Sequence, residues 1–158
     1  MTQRWPTARI ESSTRLRAAA GALCVVVMSI AGCPAPGPPA PVTIELVNQT
    51  GFDVRPSYYR SASAGTAADL FIDANLRTDF TDRAFPELRP NETIALSVEC
   101  DQIASLGAQR PAMFDSTTLT VIRSENEVLR VRGDGIACGG TVRLVYYTEG
   151  TAFRVRVE

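Results

Sequence analysis

Alternation of apolar and polar residues through residues 42–158 is the feature that most constrains the fold of this chain. Successive side chains of a β-strand point to opposite faces, so a period of two marks a strand that buries one face. Segments with this period occur at residues 42–46, 52–58, 94–100, 119–121, 129–131, 142–146 and 153–157. The pattern predicts an all-β domain.

Turn-forming residues separate these segments. Clusters that contain asparagine, glycine, proline or aspartate lie at residues 48–51, 89–91, 124–126, 133–135 and 149–150. About seven short strands with short connections indicate an antiparallel β-sandwich, immunoglobulin-like or related, whose last four strands are expected to form a meander. A small β-barrel is the alternative architecture.

Residues 61–92 are less regular, and the stretch 66–76 within them has two interpretations. Thr66 and Asp69 resemble a helix-capping pair, which would begin a short helix. The same stretch also alternates with a period of two from Leu70 to Leu76, which is typical of a strand. The sequence leaves both interpretations open, and it predicts a single helical turn within residues 101–106.

The N-terminal region has the layout of an export signal. Residues 1–17 carry four arginines against one acid, and residues 18–32 form an apolar run of about fifteen residues that ends in small side chains. This run is shorter than the roughly eighteen to twenty residues that span a bilayer as a helix. We therefore expect the run to direct export and then to be removed.

The end of this run is more specific. Ile30-Ala31-Gly32-Cys33 resembles the lipobox of bacterial lipoprotein signal peptides. The resemblance covers residues 1–33 alone, and it implies that residues 1–32 are removed and that lipid on the Cys33 thiol holds the chain at a membrane of the cell envelope. It does not distinguish the inner from the outer membrane.

Residues 33–41 form the predicted tether between this anchor and a single domain at residues 42–158. Five of the eight residues from 34 to 41 are proline, which lacks a backbone N–H and cannot join a helix or a sheet. Such a segment is expected to be an extended spacer that rises about 3.1 Å per residue.

The cysteines predict one disulfide. Of Cys24, Cys33, Cys100 and Cys138, the first is removed and the second is lipidated under the lipoprotein interpretation. Cys100 and Cys138 then remain in an oxidising compartment, where a bond between them is expected. Cys100 also has the parity of a core residue in its segment.

The amino-acid composition excludes several kinds of chemistry. The chain has no histidine, and all sixteen of its basic residues are arginine. Ser-His-Asp and Cys-His catalysis, histidine metal ligands and lysine Schiff bases are therefore excluded. No phosphate-binding loop, dinucleotide-binding fingerprint or nucleophile-elbow motif is present, so no cofactor is predicted.

Two groups of charged residues are candidate sites. Residues 117–158 contain six arginines and five acids, whereas residues 42–116 contain six arginines and eleven acids. If the last four strands form a meander, five arginines of opposite parity to the apolar residues gather on one outward face: Arg130, Arg132, Arg143, Arg154 and Arg156. This face would bind an anionic glycan or an acidic protein, or its arginines would only pair with acids such as Glu127 and Glu158.

The second group consists of carboxylates. Asp69, Asp73, Asp79 and Asp82 are weak candidates for a calcium site, because their spacing is not that of an EF-hand. A pair of them is an alternative acid and base for a small hydrolase. The simpler interpretation is a solvated loop, and no metal is predicted.

These observations predict a non-enzymatic, envelope-anchored lipoprotein whose β-domain binds or scaffolds, through the arginine face or the loops of residues 60–92. The expected partners are the membrane, through the lipid on Cys33, and an envelope protein or an anionic glycan. Nucleic acid is not expected for an exported chain that is acidic after cleavage. A small extracytoplasmic hydrolase and an accessory subunit of an envelope complex are the alternatives.

Overall fold

The computed structural model describes residues 37–158, and their strands confirm the predicted all-β sandwich. Within these residues the strands form three sheets, none of which closes into a barrel. The strands are β1 Val42–Asn48, β2 Asp53–Arg55, β3 Tyr58–Ser61, β4 Leu76–Arg77, β5 Thr93–Val98, β6 Ser105–Gln109, β7 Ala112–Asp115, β8 Thr120–Arg123, β9 Glu127–Arg132, β10 Gly135–Ile136, β11 Thr141–Glu149 and β12 Ala152–Val157. The predicted signal segment, Cys33 and the first part of the tether lie outside the described residues.

A four-stranded sheet contains the longest strands, in the order β12-β11-β1-β5. Most of it is antiparallel, but β1 and β11 pair in parallel, so the sheet is mixed. Ile44, Leu46, Leu144 and Val155 point to its inner face and are at most 1% exposed. This burial explains the strong alternation of these strands, because only one of their faces meets the core.

The other two sheets show that the predicted meander is wrong. A five-stranded sheet has the order β10-β9-β6-β3-β4, and a three-stranded sheet has the order β2-β7-β8. The last four long strands are therefore divided among three sheets, and only β11 and β12 form a hairpin. Parity within single strands does not reveal which strands become neighbours.

The segment predicted as one strand at residues 52–58 is broken into two. β2 ends at Arg55 and β3 begins at Tyr58, in a different sheet. Pro56 has no N–H to donate, and Ser57 has a φ of 45°, a left-handed conformation that interrupts an extended strand. The break lets Val54 and Tyr58 both reach the core from different sheets.

β6 was not predicted, and its burial shows why. Ser105, Leu106, Gly107 and Ala108 are all buried, so both faces of this strand are covered and its sequence does not alternate. A Cβ at Gly107 would collide with the carbonyl oxygen of Val128 and crowd the ring of Phe71.

The stretch 66–76 contains a helix, a 3₁₀ turn and a short strand. Helix α1 spans Ala67–Leu70, and the side chain of Thr66 accepts a hydrogen bond from the Asp69 N–H at 3.3 Å. This bond is the N-cap that the Thr66–Asp69 pair predicts. A 3₁₀ turn at Asp73–Asn75 leads into β4. Within residues 37–158 there is no helix with the length and apolar character needed to cross a membrane.

The predicted disulfide joins Cys100 to Cys138, whose Cα atoms lie 5.4 Å apart. Cys100 begins a 3₁₀ turn, Cys100–Gln102, which replaces the helical turn expected within residues 101–106. Cys100 is buried, as its parity predicts, whereas Cys138 is exposed. The bond fixes the end of β5 to the loop that leads into β11.

Candidate functional site

The five arginines of the predicted ligand face do not lie together. Arg143, Arg154 and Arg156 lie on the four-stranded sheet, whereas Arg130 and Arg132 lie on β9 of the five-stranded sheet. A single arginine surface required the meander that the structure lacks. The expectation that all five gather on one face is therefore wrong.

The expected parity of β9 is also wrong. Arg130 lies opposite Leu106, and Val128 lies opposite Ala108, so these β9 residues share the face of two core residues. The guanidinium of Arg132 donates hydrogen bonds to the backbone carbonyls of Cys100 and Ile103. Arg132 thus holds the 3₁₀ turn of the disulfide, and this contact gives it a structural role.

The outer face of the four-stranded sheet carries three arginines that are paired with acids. Arg143 lies 2.7 Å from Glu45 and 3.8 Å from Glu158. Arg156 contacts Glu158 at 2.8 Å, and Arg154 contacts Glu149 at 2.8 Å. These contacts match the alternative in which the arginines pair with neighbouring acids, although Glu127 instead accepts a hydrogen bond from Gln109.

The four aspartates that are weak candidates for a metal site have different contacts and positions. Asp69 accepts a hydrogen bond from the Thr66 hydroxyl at 2.7 Å, and Asp73 begins a 3₁₀ turn. Asp82 is exposed in the loop before β5, while Asp79 lines a cleft between two sheets. In the part of the chain that the structure describes, no group of three or more histidine, cysteine, aspartate or glutamate side chains is placed to hold a metal ion.

The cleft beside Asp79 is the strongest candidate site. It has a volume of about 290 Å³ and lies between β3 and β5, the edge strand of the four-stranded sheet. Its lining includes Arg60, Asp79, Leu96, Val98, Glu99 and Gln102. We call it the Tyr58 cleft after the buried tyrosine that shares the face of Arg60 on β3 but does not itself line the cleft. Arg60 forms no ion pair with any acid of residues 37–158.

Tyr58 gives the cleft its unusual chemistry. Tyr58 is 1% exposed, and the Arg60 guanidinium lies near its hydroxyl without forming a well-aligned hydrogen bond. Burial raises the pKa of this hydroxyl to about 12, and the nearby positive charge of Arg60 opposes the rise. The hydroxyl therefore keeps its proton and can donate it in a hydrogen bond beside Arg60 and Asp79.

Two further polar atoms near Tyr58 lack partners. Arg77 lies opposite Tyr58 in the β3–β4 pair, and its Nε makes no hydrogen bond within residues 37–158. The buried hydroxyl of Tyr146 also makes no hydrogen bond within these residues. Burial, with a smaller effect of Tyr58, raises the pKa of this hydroxyl well above the usual value. Buried polar groups are normally hydrogen-bonded, and three of the four unpaired ones in the described residues lie around Tyr58, the fourth being the Ser105 hydroxyl.

Sequence reasoning missed this cleft for identifiable reasons. Tyr58 has the parity of a core residue, and nothing in its neighbours indicates that its hydroxyl lacks a partner. Arg60 and Arg77 are separated by the irregular stretch that the sequence left undecided. The available signal was the suggestion that the loops of residues 60–92 form a binding surface, and Arg60 and Asp79 lie at or within these loops.

Neither a protein-family model nor a curated protein matches the sequence.

Proposed function

We propose that this chain is a lipid-anchored binding protein of the bacterial cell envelope, without enzymatic activity, and that it binds its ligand in the Tyr58 cleft. The anchoring half of the proposal rests on the lipobox-like segment Ile30-Ala31-Gly32-Cys33 and on the proline-rich tether after it. The binding half rests on Arg60, which lines the cleft and forms no ion pair within residues 37–158, and on the buried polar atoms beside it.

The chemistry of the cleft favours a ligand with a carboxylate or another hydrogen-bond acceptor. Arg60 offers guanidinium donors on the lining of the cleft, and the buried Tyr58 hydroxyl lies beside Arg60. Charge-assisted bonds from a guanidinium to a carboxylate are among the strongest hydrogen bonds in proteins. Asp79 and Glu99 stand at the same cleft and are exposed, so a densely anionic polymer would meet repulsion there. The arrangement suits one acidic group on an envelope protein or on a sparsely charged glycan.

The anchoring proposal has a direct test in membrane fractionation. Cys33→Ala should release the protein into the soluble fraction, because the thiol that carries the lipid is gone. Cys24→Ala is the matched control, since this cysteine lies inside the apolar run, and the variant should remain in the membrane fraction. Continued membrane attachment of Cys33→Ala would contradict the proposal.

The binding proposal is tested with a small acid of defined chemistry. Glucuronate should shift the amide signals of residues around Arg60 and raise the melting temperature of the purified chain, whereas glucose should do neither. Arg60→Ala should abolish the effect, and Arg154→Ala, which removes a surface arginine of the four-stranded sheet, should preserve it. An equal response of both variants would show that the cleft is not the site.

One observation favours the alternative that the chain is a small hydrolase. Asp79 and Glu99 line the same cleft, so the structure brings two carboxylates together there. Both are exposed, however, and glycoside hydrolysis needs one carboxyl that stays protonated in a desolvated position. Turnover of a glycan panel by the purified chain, abolished by Asp79→Asn or Glu99→Gln, would replace the binding proposal with this alternative.

A further inference from the structure

The edges of the three sheets are protected unequally. An exposed strand edge presents unpaired N–H and C=O groups to other chains, and proteins limit this with short strands, charges or covering groups. β4 and β10 have two residues each, and β8 has four residues and ends at Arg123. The outer edge of β2 pairs with Leu88 through an isolated bridge.

The far edge of the four-stranded sheet is covered by a side chain. The amide group of Asn126 donates to the carbonyl of Val155, and its oxygen accepts from the Val155 N–H at 3.1 Å. Asn126 thus occupies the place of a neighbouring strand on β12. Arg154 and Arg156 add charge to the same strand.

β5, at the opposite side of that sheet, has none of these protections. Its six residues, Thr93–Val98, include no charged residue and no proline, and the strand pairs with β1 on one side only. The Asn48 N–H donates to the Glu92 carbonyl at 2.8 Å, so even-numbered residues direct their backbone groups toward β1. The backbone groups of Thr93, Ala95 and Ser97 point away, and in the described chain they pair with no other backbone group.

The open edge of β5 is continuous with the Tyr58 cleft. Leu96 and Val98 point inward from β5 and line the cleft opposite Arg60. Paired strands share their two faces, so a strand added along β5 would direct every second side chain into the cleft, as Leu96 and Val98 are directed. Such a side chain would lie next to Arg60, and the unpaired guanidinium favours an aspartate or a glutamate there.

A second copy of this chain fits the edge less well. In the antiparallel register that places Ala95 opposite its own symmetry copy, Glu92 is the acid that would point into the cleft beside Val98. The Glu92 carboxylate is already engaged, because it accepts from the Arg83 guanidinium and, at 2.7 Å, from the Arg89 N–H. The chain therefore offers no available acid at this position to its own copy.

We propose that β5 binds an extended segment of a partner protein as a fifth strand of the four-stranded sheet, with one acidic side chain of that segment in the Tyr58 cleft. This inference rests on the proposed function, and it identifies the ligand as a polypeptide. Backbone hydrogen bonds to Thr93, Ala95 and Ser97 supply affinity, and the contact with Arg60 supplies selectivity.

Selection from a library of random ten-residue peptides against the purified full chain tests the proposal. The expected outcome is enrichment of peptides with β-branched residues in alternation and one acid at a constant position. The chosen peptide should bind at least tenfold more weakly after its acid is replaced by the corresponding amide. It should also lose at least tenfold in affinity when the backbone nitrogens facing β5 are methylated, a change that leaves the protein untouched.

Protein variants complete the test. Ala95→Pro removes an outward N–H without deleting a bond to β1, so it should weaken peptide binding at least tenfold while the melting temperature stays near that of the parent chain. Arg154→Ala should bind the peptide like the parent chain. Equal affinity for the methylated and unmethylated peptides would overturn the inference. A selection in which no peptide binds the parent chain better than it binds the Ala95→Pro variant would overturn it as well.

The outcomes separate this inference from the proposed function. Glucuronate binding that depends on Arg60, without any peptide that depends on the β5 edge, would leave the cleft as a small-ligand site and refute strand addition. If neither glucuronate nor any peptide binds in this way, both the proposed binding site and the strand addition are refuted. If the parent chain sediments as a dimer and the Ala95→Pro variant as a monomer, a second copy of the chain occupies the edge of β5. This result would overturn the proposal of a separate partner protein.

Discussion

The two edges of the four-stranded sheet differ in how completely their surface arginines and their outward backbone groups find partners. On the β11–β12 side, Arg143, Arg154 and Arg156 are paired with acids, and Asn126 covers the edge of β12. On the β5 side, the strand edge is open, and Arg60 beside it forms no ion pair within residues 37–158. Satisfied polar groups stabilise a surface and leave it little to offer a ligand, whereas unsatisfied ones cost stability and are retained where something binds. The candidate site therefore lies in the arginine-poor cleft and not on the arginine-rich surface.

Removal of the disulfide should have the largest effect, and it should fall on the β5 side. Cys100 begins the turn that follows Glu99 and contains Gln102, both of which line the cleft. The bond closes a loop with a sequence separation of 38 residues. We expect the Cys100→Ser, Cys138→Ser double variant to lose about 3–4 kcal/mol of unfolding free energy, measured in urea. A loss below about 1 kcal/mol would show that the hydrogen bonds of Arg132 hold the turn without the disulfide.

Alkaline pH should weaken the domain through the buried tyrosines. Because the pKa of Tyr58 is about 12 in the folded chain and about 10 when unfolded, its contribution is complete below pH 10 and is lost as the pH rises toward 12. The loss is on the order of 2 kcal/mol, and Tyr146 acts in the same direction.

Urea unfolding between pH 8 and pH 11.5 measures this effect. Tyr58→Phe should flatten the pH dependence and, at pH 8, should leave the unfolding free energy unchanged or higher, because it removes a hydroxyl without a partner. The same variant should bind ligand more weakly in the cleft. A clear destabilisation of Tyr58→Phe at pH 8 would mean that the hydroxyl contributes to folding, which would remove the contrast between the two sides.

Loss of the Asn126 cap should have a smaller effect on the opposite side of the sheet. Asn126→Ala removes both hydrogen bonds to the backbone of Val155, and we expect a loss of about 1–2 kcal/mol in unfolding free energy. Gln49→Ala, a change at an exposed side chain, is the control and should cost less than about 0.5 kcal/mol. Asn126→Ala should also aggregate more readily, as measured by light scattering, because the edge of β12 would then be open like that of β5. Unchanged stability and solubility would show that the edge does not need this cover.

The surface ion pairs should have the smallest effect. Arg143→Ala breaks contacts with Glu45 and Glu158, and exposed pairs of this kind contribute about 1 kcal/mol or less. The loss in melting temperature should shrink in 0.5 M salt, because salt screens exposed charges. Arg60→Ala has no ion pair to lose, so its melting temperature should stay near that of the parent chain in low and in high salt. A larger loss for Arg60→Ala would reveal a structural role for that guanidinium.

Sequence reasoning succeeded where one face of a strand meets the core. The alternation in β1, β5, β11 and β12 predicts these strands and their inner faces, and the Thr66–Asp69 pair correctly indicates a cap. It failed in β9 and β8, where Val128 and Ile122 face the core instead of Leu129 and Val121. Short strands with apolar residues on both parities give no clear choice of face, so contacts with neighbouring sheets decide it.

Local spacing and residue chemistry are enough to predict the all-β class, the Cys100–Cys138 bond and an exported, lipidated chain. Tertiary structure alone decided which strands are neighbours, and therefore which polar groups find partners. The arginines of β11 and β12 pair with Glu45 of β1 and with Glu149 and Glu158 at the ends of the β11–β12 hairpin, whereas Arg60 lines a cleft at the edge of β5. Pairing between distant strands fixes these encounters, and no periodicity within one segment records them.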